Sequence, residues 1–260
     1  MDEEWQRLKV WADGPVGFIV LNRPEVRNCL DYLLVTELER AVIRLATETR
    51  AIVIQGAGSH FCTGADLKYV AAIQHDPAAM RRFIEQINRA FAQIEQAPVP
   101  VIAGVAGYAL AGGFELLQAC DIVIVAEDAI LGDQHANFGL LPGGGGSQRL
   151  PRLIGRQRAL GLLLSGEWIS GKEAASWGLA YRAVPAAEVE QQARHLAHRL
   201  AERSRNGLHL MKRLVHEGLE RPLTEAIAME IDIFCDYISG ADASEGLRAF
   251  RERRAPRFAD

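Results

Sequence analysis

Three short apolar runs constrain the fold most: Ala51–Gln55, Pro100–Gly104 and Ile122–Val125. Each is too short for a helix and lacks polar alternation, so each reads as a strand buried on both faces. Helical patterns separate them. Asp31–Thr47 places Leu34, Leu38, Ile43 and Leu45 amid Glu37, Glu39, Arg40 and Arg44, an amphipathic helix. Asp76-Pro77 is a helix start, a capping acid followed by proline at the first helical position, and that helix runs to about Gln96, before Pro98. Strands alternating with helices predict an α/β core of βαβ type up to about residue 184.

The flanking segments complete the pattern. Leu8–Trp11 and Phe18–Leu21 around Asp13-Gly14 read as a β-hairpin, which Asn22-Arg23-Pro24 stops. Ala129–Leu131 and Leu179–Val184 read as short strands. Arg156–Leu164, Gly171–Gly178, Ala186–Arg203, Asn206–Gly218, Pro222–Ser239 and Ala241–Arg253 read as helices. The tail therefore has no strands of its own, and is expected to pack on the core or on another subunit.

One charge sits where it is costly. Glu115 lies in Val105–Asp121, VAGYALAGGFELLQACD, with long apolar stretches on both sides. A bare buried charge is expensive, so the acid must be paired, protonated or chemically used. Apolar surroundings raise a carboxyl pKa towards the range useful for proton transfer. Gly112, opening a helix over about Gly112–Ala119, offers an unobstructed N–H at the positive end of the helix dipole. Two readings stand: a carbonyl-polarising, proton-moving site, or an N-cap at Gly112 with Glu115 as its capping-box acid.

Other features exclude functions. A formal charge of −4 over 260 residues gives no electrostatic case for nucleic acid or an anionic membrane. No apolar run approaches the ~20 residues that span a bilayer. MDEEWQRLKV lacks the basic and apolar regions of a secretory signal. Cys29, Cys62, Cys120 and Cys235 show no CxxC spacing and read as reduced thiols of a cytoplasmic protein. Gly143–Gly146 lacks the Lys-Ser/Thr of a phosphate loop and is better explained by close helix packing with Ser147 as a cap. Ser147 is not in a GxSxG elbow. His195, His198, His209 and His216 have no metal-binding pattern, so no metal is expected. His135 differs, because LGDQHANFG places it in a loop between a strand and the glycine run.

Taken together, HFCTGADLK, VIAGVAGYALAGGFELLQACDIVIV and FGLLPGGGGSQRLPRLIG resemble the crotonase (enoyl-CoA hydratase/isomerase) superfamily, as do NRPEVRNCL and LSGEWISGKEAASWGLAYRAVP. The resemblance covers essentially the whole chain. It implies an α/β fold, a spiral of ββα turns, with a core and acyl-CoA site in residues 1–200. A helical region, residues 201–260, would complete the site and a homotrimer or dimer of trimers. CoA would be part of the substrate, with no separate cofactor.

The same resemblance assigns residues. The backbone N–H groups of Ala65 and Gly112 would hold the thioester oxyanion. Glu115 matches the first of two acids that handle water in hydratases, and the second position holds His135, a departure. A Glu–His pair can also do acid–base work, or His135 can bind a carboxylate or hydroxyl on the acyl group. Asp133 is a further candidate for proton transfer or for orienting His135. Ala111 and Phe114 are bulkier than is common in relatives, which reads as repacking. For CoA, Arg27 would lie near the phosphates, Thr63 and Ala65 at the adenine and pantetheine ends of the loop, and Asp66 and Leu67 alongside. Lys68 would contact phosphate, and Phe234 and Arg253 would reach CoA from a neighbouring subunit; Lys68 and Arg253 are equally readable as solvated charges.

The leading activity so implied is addition of water to an α,β-unsaturated acyl-CoA. Isomerisation, ring cleavage, decarboxylation or thioester hydrolysis on a carboxylated or branched acyl-CoA is the alternative. A catalytically silent acyl-CoA-binding trimer is the non-enzymatic one.

Overall fold

The computed structural model describes residues 4–258; the first three residues of MDEEWQRLKV lie outside them. Strands β1 (Leu8–Asp13) and β2 (Val16–Leu21) form the expected antiparallel hairpin. β2 then pairs in parallel with β3 (Ala51–Gly56), β3 with β4 (Val101–Val105), and β4 with β6 (Ile122–Ala126). β9 (Arg182–Val184) closes the six-stranded sheet beside β6. A second, three-stranded sheet contains β5 (Tyr108–Leu110), β7 (Ile130–Gly132) and β8 (Ile169–Ser170). β5 and β8 are not apparent in the sequence, being too short to show a period.

The chain spirals between the two sheets. β4 feeds β5 and then helix α4 (Gly112–Ala119); β6 feeds β7 and then, through a long loop, α5 (Gly146–Ile154). β3 leads to an isolated bridge, Cys62 with Ala109, before α2 (Leu67–Ile73), and β2 to a bridge, Leu30 with Ala65, before α1 (Tyr32–Glu48). Each turn thus adds a strand to the large sheet, an extended segment to the second layer, and a helix, as the ββα spiral requires.

Helix α1 packs on the large sheet, and α3 (Pro77–Gln96) packs on α1 and α4, both through apolar stripes. Leu34, Leu38, Val42 and Leu45 of α1 and Phe83, Ile87, Phe91 and Ile94 of α3 are buried. Each such side chain contributes roughly 1.5–3 kcal/mol on burial. The caps are local: Asp31 accepts from Leu34 N–H, and Asp76 from Ala78 and Ala79 with Pro77 at the first helical position.

The remaining helices are α6 (Arg156–Ser165), α7 (Gly171–Ser176), α8 (Val189–Ala201), α9 (Arg205–Leu219), α10 (Leu223–Ile238) and α11 (Ala241–Glu252). α9 is tied to the core by Lys212, whose Nζ lies 2.7 Å from Asp121 Oδ2 and donates to the carbonyl of Ile94. α10 has no buried residue, and Leu223, Ile227, Ile231, Phe234 and Ile238 stand exposed along it. Among the described residues no helix is long and apolar enough to cross a membrane.

Candidate active site

The second layer brings two amides together by register. Cys62 pairs in parallel with Ala109, and Ala65 and Gly112 each lie three residues further along. A Cβ placed on Gly112 would stand 3.5 Å from Ala65 N, and one on Gly64 would stand 3.0 Å from Gly112 N. Leu30 N–H donates to Gly64 O and Asp66 N–H to Leu30 O, both at 2.8 Å, which turns the intervening Ala65 N–H away from Leu30. Gly112 is the first residue of α4, so its N–H has no intrahelical acceptor. Among the described residues no backbone carbonyl accepts from either amide.

Strain and ion pairing hold this geometry. Ala111 precedes Gly112 at φ 48°, ψ −120°, a sparsely populated conformation for a residue with a side chain, and its N–H donates to Gly132 O at 2.9 Å. On the other strand, Asp66 caps α2, accepting from Lys68 and Tyr69. Arg23 Nη2 meets Asp66 Oδ2 at 2.9 Å, while Nη1 meets Asp31 Oδ2 at 3.3 Å and donates to Cys29 O at 2.8 Å. Burial opposes ionisation of Asp66, but Arg23 and the two backbone N–H groups outweigh it and hold the carboxyl below its ordinary value.

Glu115 is 2 % exposed. Its Oε1 accepts from Gly144 N–H and Gly146 N–H, each at 2.8 Å. A Cβ on Gly144 would lie 2.8 Å from Glu115 Oε2, and one on Gly146 would lie 2.9 Å from Glu115 Cγ. The glycine run is therefore a backbone cradle for this carboxyl, a role the sequence signalled only as close packing. Two capping readings are corrected. Gly145, at φ 96°, is the N-cap of α5, and Ser147 lies inside the helix. Ala111, not Gly112, is the N-cap of α4, and Glu115 reaches across to Gly144 and Gly146 rather than back to its own helix end. Burial raises the Glu115 pKa above its ordinary value, opposed by the Gly146 N–H and the charge of His135.

His135 opens a short 3-10 turn, His135–Phe138. Its Nδ1 lies 2.8 Å from Asp133 Oδ1, and its backbone N–H donates to the same oxygen at 3.3 Å. Burial lowers the His135 pKa, but the hydrogen bond and charge of Asp133, with the charge of Glu115, leave it raised overall. Glu115, Asp133 and His135 thus form one electrostatically coupled cluster. Phe114 is fully buried in the core, so its bulk is packing.

The predicted CoA residues fall in two groups. Arg27, Thr63, Ala65, Asp66, Leu67 and Lys68 are adjacent: Thr63 N–H donates to Arg27 O at 3.2 Å, and Leu67 and Lys68 form the exposed first turn of α2. The Arg27 guanidinium lies 5.8 Å from the Tyr108 ring centroid. Phe234, on α10, and Arg253, which ends α11, are exposed, and among the described residues neither makes a hydrogen bond, ion pair or ring contact with the Glu115 cluster. Among the described residues no three His, Cys, Asp or Glu side chains are grouped to hold a metal ion. Arg23, Gly144 and Gly146 were not legible as site residues, because their partners are distant in sequence.

Residues 12–260 match the family model described as enoyl-CoA hydratase/isomerase. A Mycobacterium bovis protein named "Probable enoyl-CoA hydratase echA8" is 36 % identical over 98 % of both chains. The crystal structure of an enoyl-CoA hydratase from Bacillus anthracis superposes with a TM-score of 0.92 at 37 % identity, covering 97 % of this chain and 99 % of that one. An enoyl-CoA hydratase structure from Geobacillus kaustophilus gives 0.92 at 36 % identity, with 99 % of each chain covered.

Proposed function

This chain belongs to the enoyl-CoA hydratase/isomerase family, and from that premise we propose that it hydrates an α,β-unsaturated acyl-CoA thioester. The observation that carries the reading is the buried Glu115 carboxyl, held by Gly144 and Gly146 and coupled to His135, on the first turn of the helix that Gly112 opens opposite Ala65. The two N–H groups hold the thioester oxygen as negative charge develops on it; one such donor is typically worth ~100–1000-fold in rate. Glu115 takes a proton from water as the oxygen bonds to Cβ. His135, protonated, supplies a proton to Cα as the enolate collapses. A proton returned from Glu115 to His135 restores the starting state. The Arg27–Lys68 region takes the CoA portion.

The exposed apolar stripe of α10 supports self-association as a homotrimer or a dimer of trimers, with Phe234 and Arg253 reaching a neighbour's CoA. The four free cysteines suit a reducing, cytoplasmic setting. One observation favours a second reading: a cationic His135 in the cluster suits a carboxylated acyl chain, and with it isomerisation, decarboxylation or hydrolysis.

The test is mass spectrometry of the purified protein with a panel of enoyl-CoA esters in oxygen-labelled water. Gain of one labelled water per thioester supports hydration. A product of unchanged mass supports isomerisation and overturns it, as does loss of CO2 or of CoA. Tight acyl-CoA binding without any product identifies a silent binding protein.

A further inference from the structure

We propose that Asp133 is a positioning residue that fixes His135 in one orientation and one tautomer, with Nδ1–H held by Asp133 and Nε2 left as the proton-transfer atom. This rests on the acid–base role given to His135 above. The geometry is specific. Asp133 is 1 % exposed, and its Oδ1 faces both the ring Nδ1 and the main-chain N–H of His135, at 2.8 and 3.3 Å. A carboxylate accepts and cannot donate, so Nδ1 must carry the proton. Its other oxygen, Oδ2, is buried with no hydrogen-bond partner among the described residues. A buried carboxylate with one empty oxygen is costly unless a cation stands beside it; the imidazolium of His135 is that cation.

The backbone is shaped for this contact. Gln134, between the two, adopts φ 63°, left-handed for a residue with a side chain. Its Nε2 and Asn137 Nδ2 both donate to Gly166 O, at 2.7 and 2.9 Å, pinning the turn to the end of α6. The charges acting on His135 are those of Asp133 and Glu115. α6 meets the turn through the Gly166 backbone, and its Arg158 lies over Trp177 instead. The arrangement replaces a second glutamate by an acid–histidine pair, so that one site holds a carboxylate base and an imidazolium acid together.

The experiment follows the His135 imidazole nitrogens by NMR in the intact protein, alongside the pH dependence of kcat/KM on the enoyl-CoA that is turned over. In the unaltered protein Nδ1 is expected to stay protonated while Nε2 titrates; an unprotonated Nδ1 overturns the proposal without any variant. In Asp133→Asn the His135 midpoint should fall by about one to three pH units, and the upper limb of the kcat/KM profile should fall with it, with KM little changed. A midpoint and limb that stay in place overturn the proposal. His135→Ala separates the two claims: if the upper limb survives that substitution, the catalytic role of His135 fails, whereas loss of the limb there with no movement in Asp133→Asn condemns only the role of Asp133.

Discussion

The main-chain N–H of Gly146 donates to Glu115 Oε1 at 2.8 Å, across 31 residues of sequence. With Gly144 on the same oxygen, the start of α5 is a receptor for the acid on α4. The carboxyl is oriented by backbone, which no side-chain rotamer can release. Orientation of this kind is inexpensive to keep and hard to mutate around, because the donors belong to every residue but the space belongs only to glycine.

Replacing Glu115 by Gln keeps this cradle, since the amide oxygen still accepts from both glycines, but removes the group proposed above as the base. Turnover of an enoyl-CoA should fall at least ~100-fold, the usual scale for a general base. CoA affinity by calorimetry should be unchanged. Retained turnover would remove Glu115 from the chemistry.

Gly144→Ala and Gly146→Ala should each damage the site. The added methyl would meet Glu115 Oε2 at 2.8 Å and Phe91 Cε2 at 3.0 Å in the first case, and Glu115 Cγ at 2.9 Å in the second. Overpacking of this kind costs about 1–3 kcal/mol and should displace the carboxyl from its two glycine N–H donors. Gly161→Ala in α6 is the contrast, because its Cβ meets nothing within 4 Å. It should raise stability by up to ~1 kcal/mol with unchanged kinetics. Chemical denaturation and steady-state rates on the three variants check this.

Local signals were legible and distant ones were not. Asp76 announces its helix because a cap acts within three residues. The buried strands announce themselves by composition. Asp133 and His135 are two residues apart, so their pairing was open to inspection, and the resemblance supplied the approach of the Ala65 and Gly112 segments. The glycine cradle was not, because its partner lies 29 to 31 residues away and a run of glycines looks the same whatever it approaches. Ser147 was a plausible cap by type. Gly145 takes that place because the chain enters α5 at φ 96°, where a side chain is strained.

The stability of the protein should carry the signature of Glu115. Burial holds its pKa above 4.5 in the folded chain. Between the ordinary and the raised value, the unfolded chain has lost the proton that the folded chain keeps. Stability on this account is fully present below the ordinary value and is lost as pH rises through the folded one. Gln at this position has no proton to lose. The melting temperature of Glu115→Gln should therefore be close to the parent at about pH 4 and exceed it increasingly as pH rises from the ordinary carboxyl value through the raised one. A gap that narrows with rising pH would mean that the two glycine N–H groups and His135 stabilise the anion more than burial opposes it.

Ala111 tests whether backbone strain is built into the start of α4, where the proposed oxyanion donor Gly112 lies. At φ 48°, ψ −120° a residue with a Cβ is held by its surroundings at a cost of about 1–3 kcal/mol. Glycine adopts this conformation freely, and loses about 0.5–1 kcal/mol through the greater freedom of its unfolded chain. Ala111→Gly should therefore stabilise the protein by about 1 kcal/mol, roughly 2–4 °C in melting temperature for a chain of this size. The Gly132 carbonyl would still hold the N–H of residue 111 and Gly112 would still open α4, so turnover should be preserved. A lower melting temperature would instead show that the methyl, facing Gly64 across the two chain segments, contributes more by contact than its conformation costs.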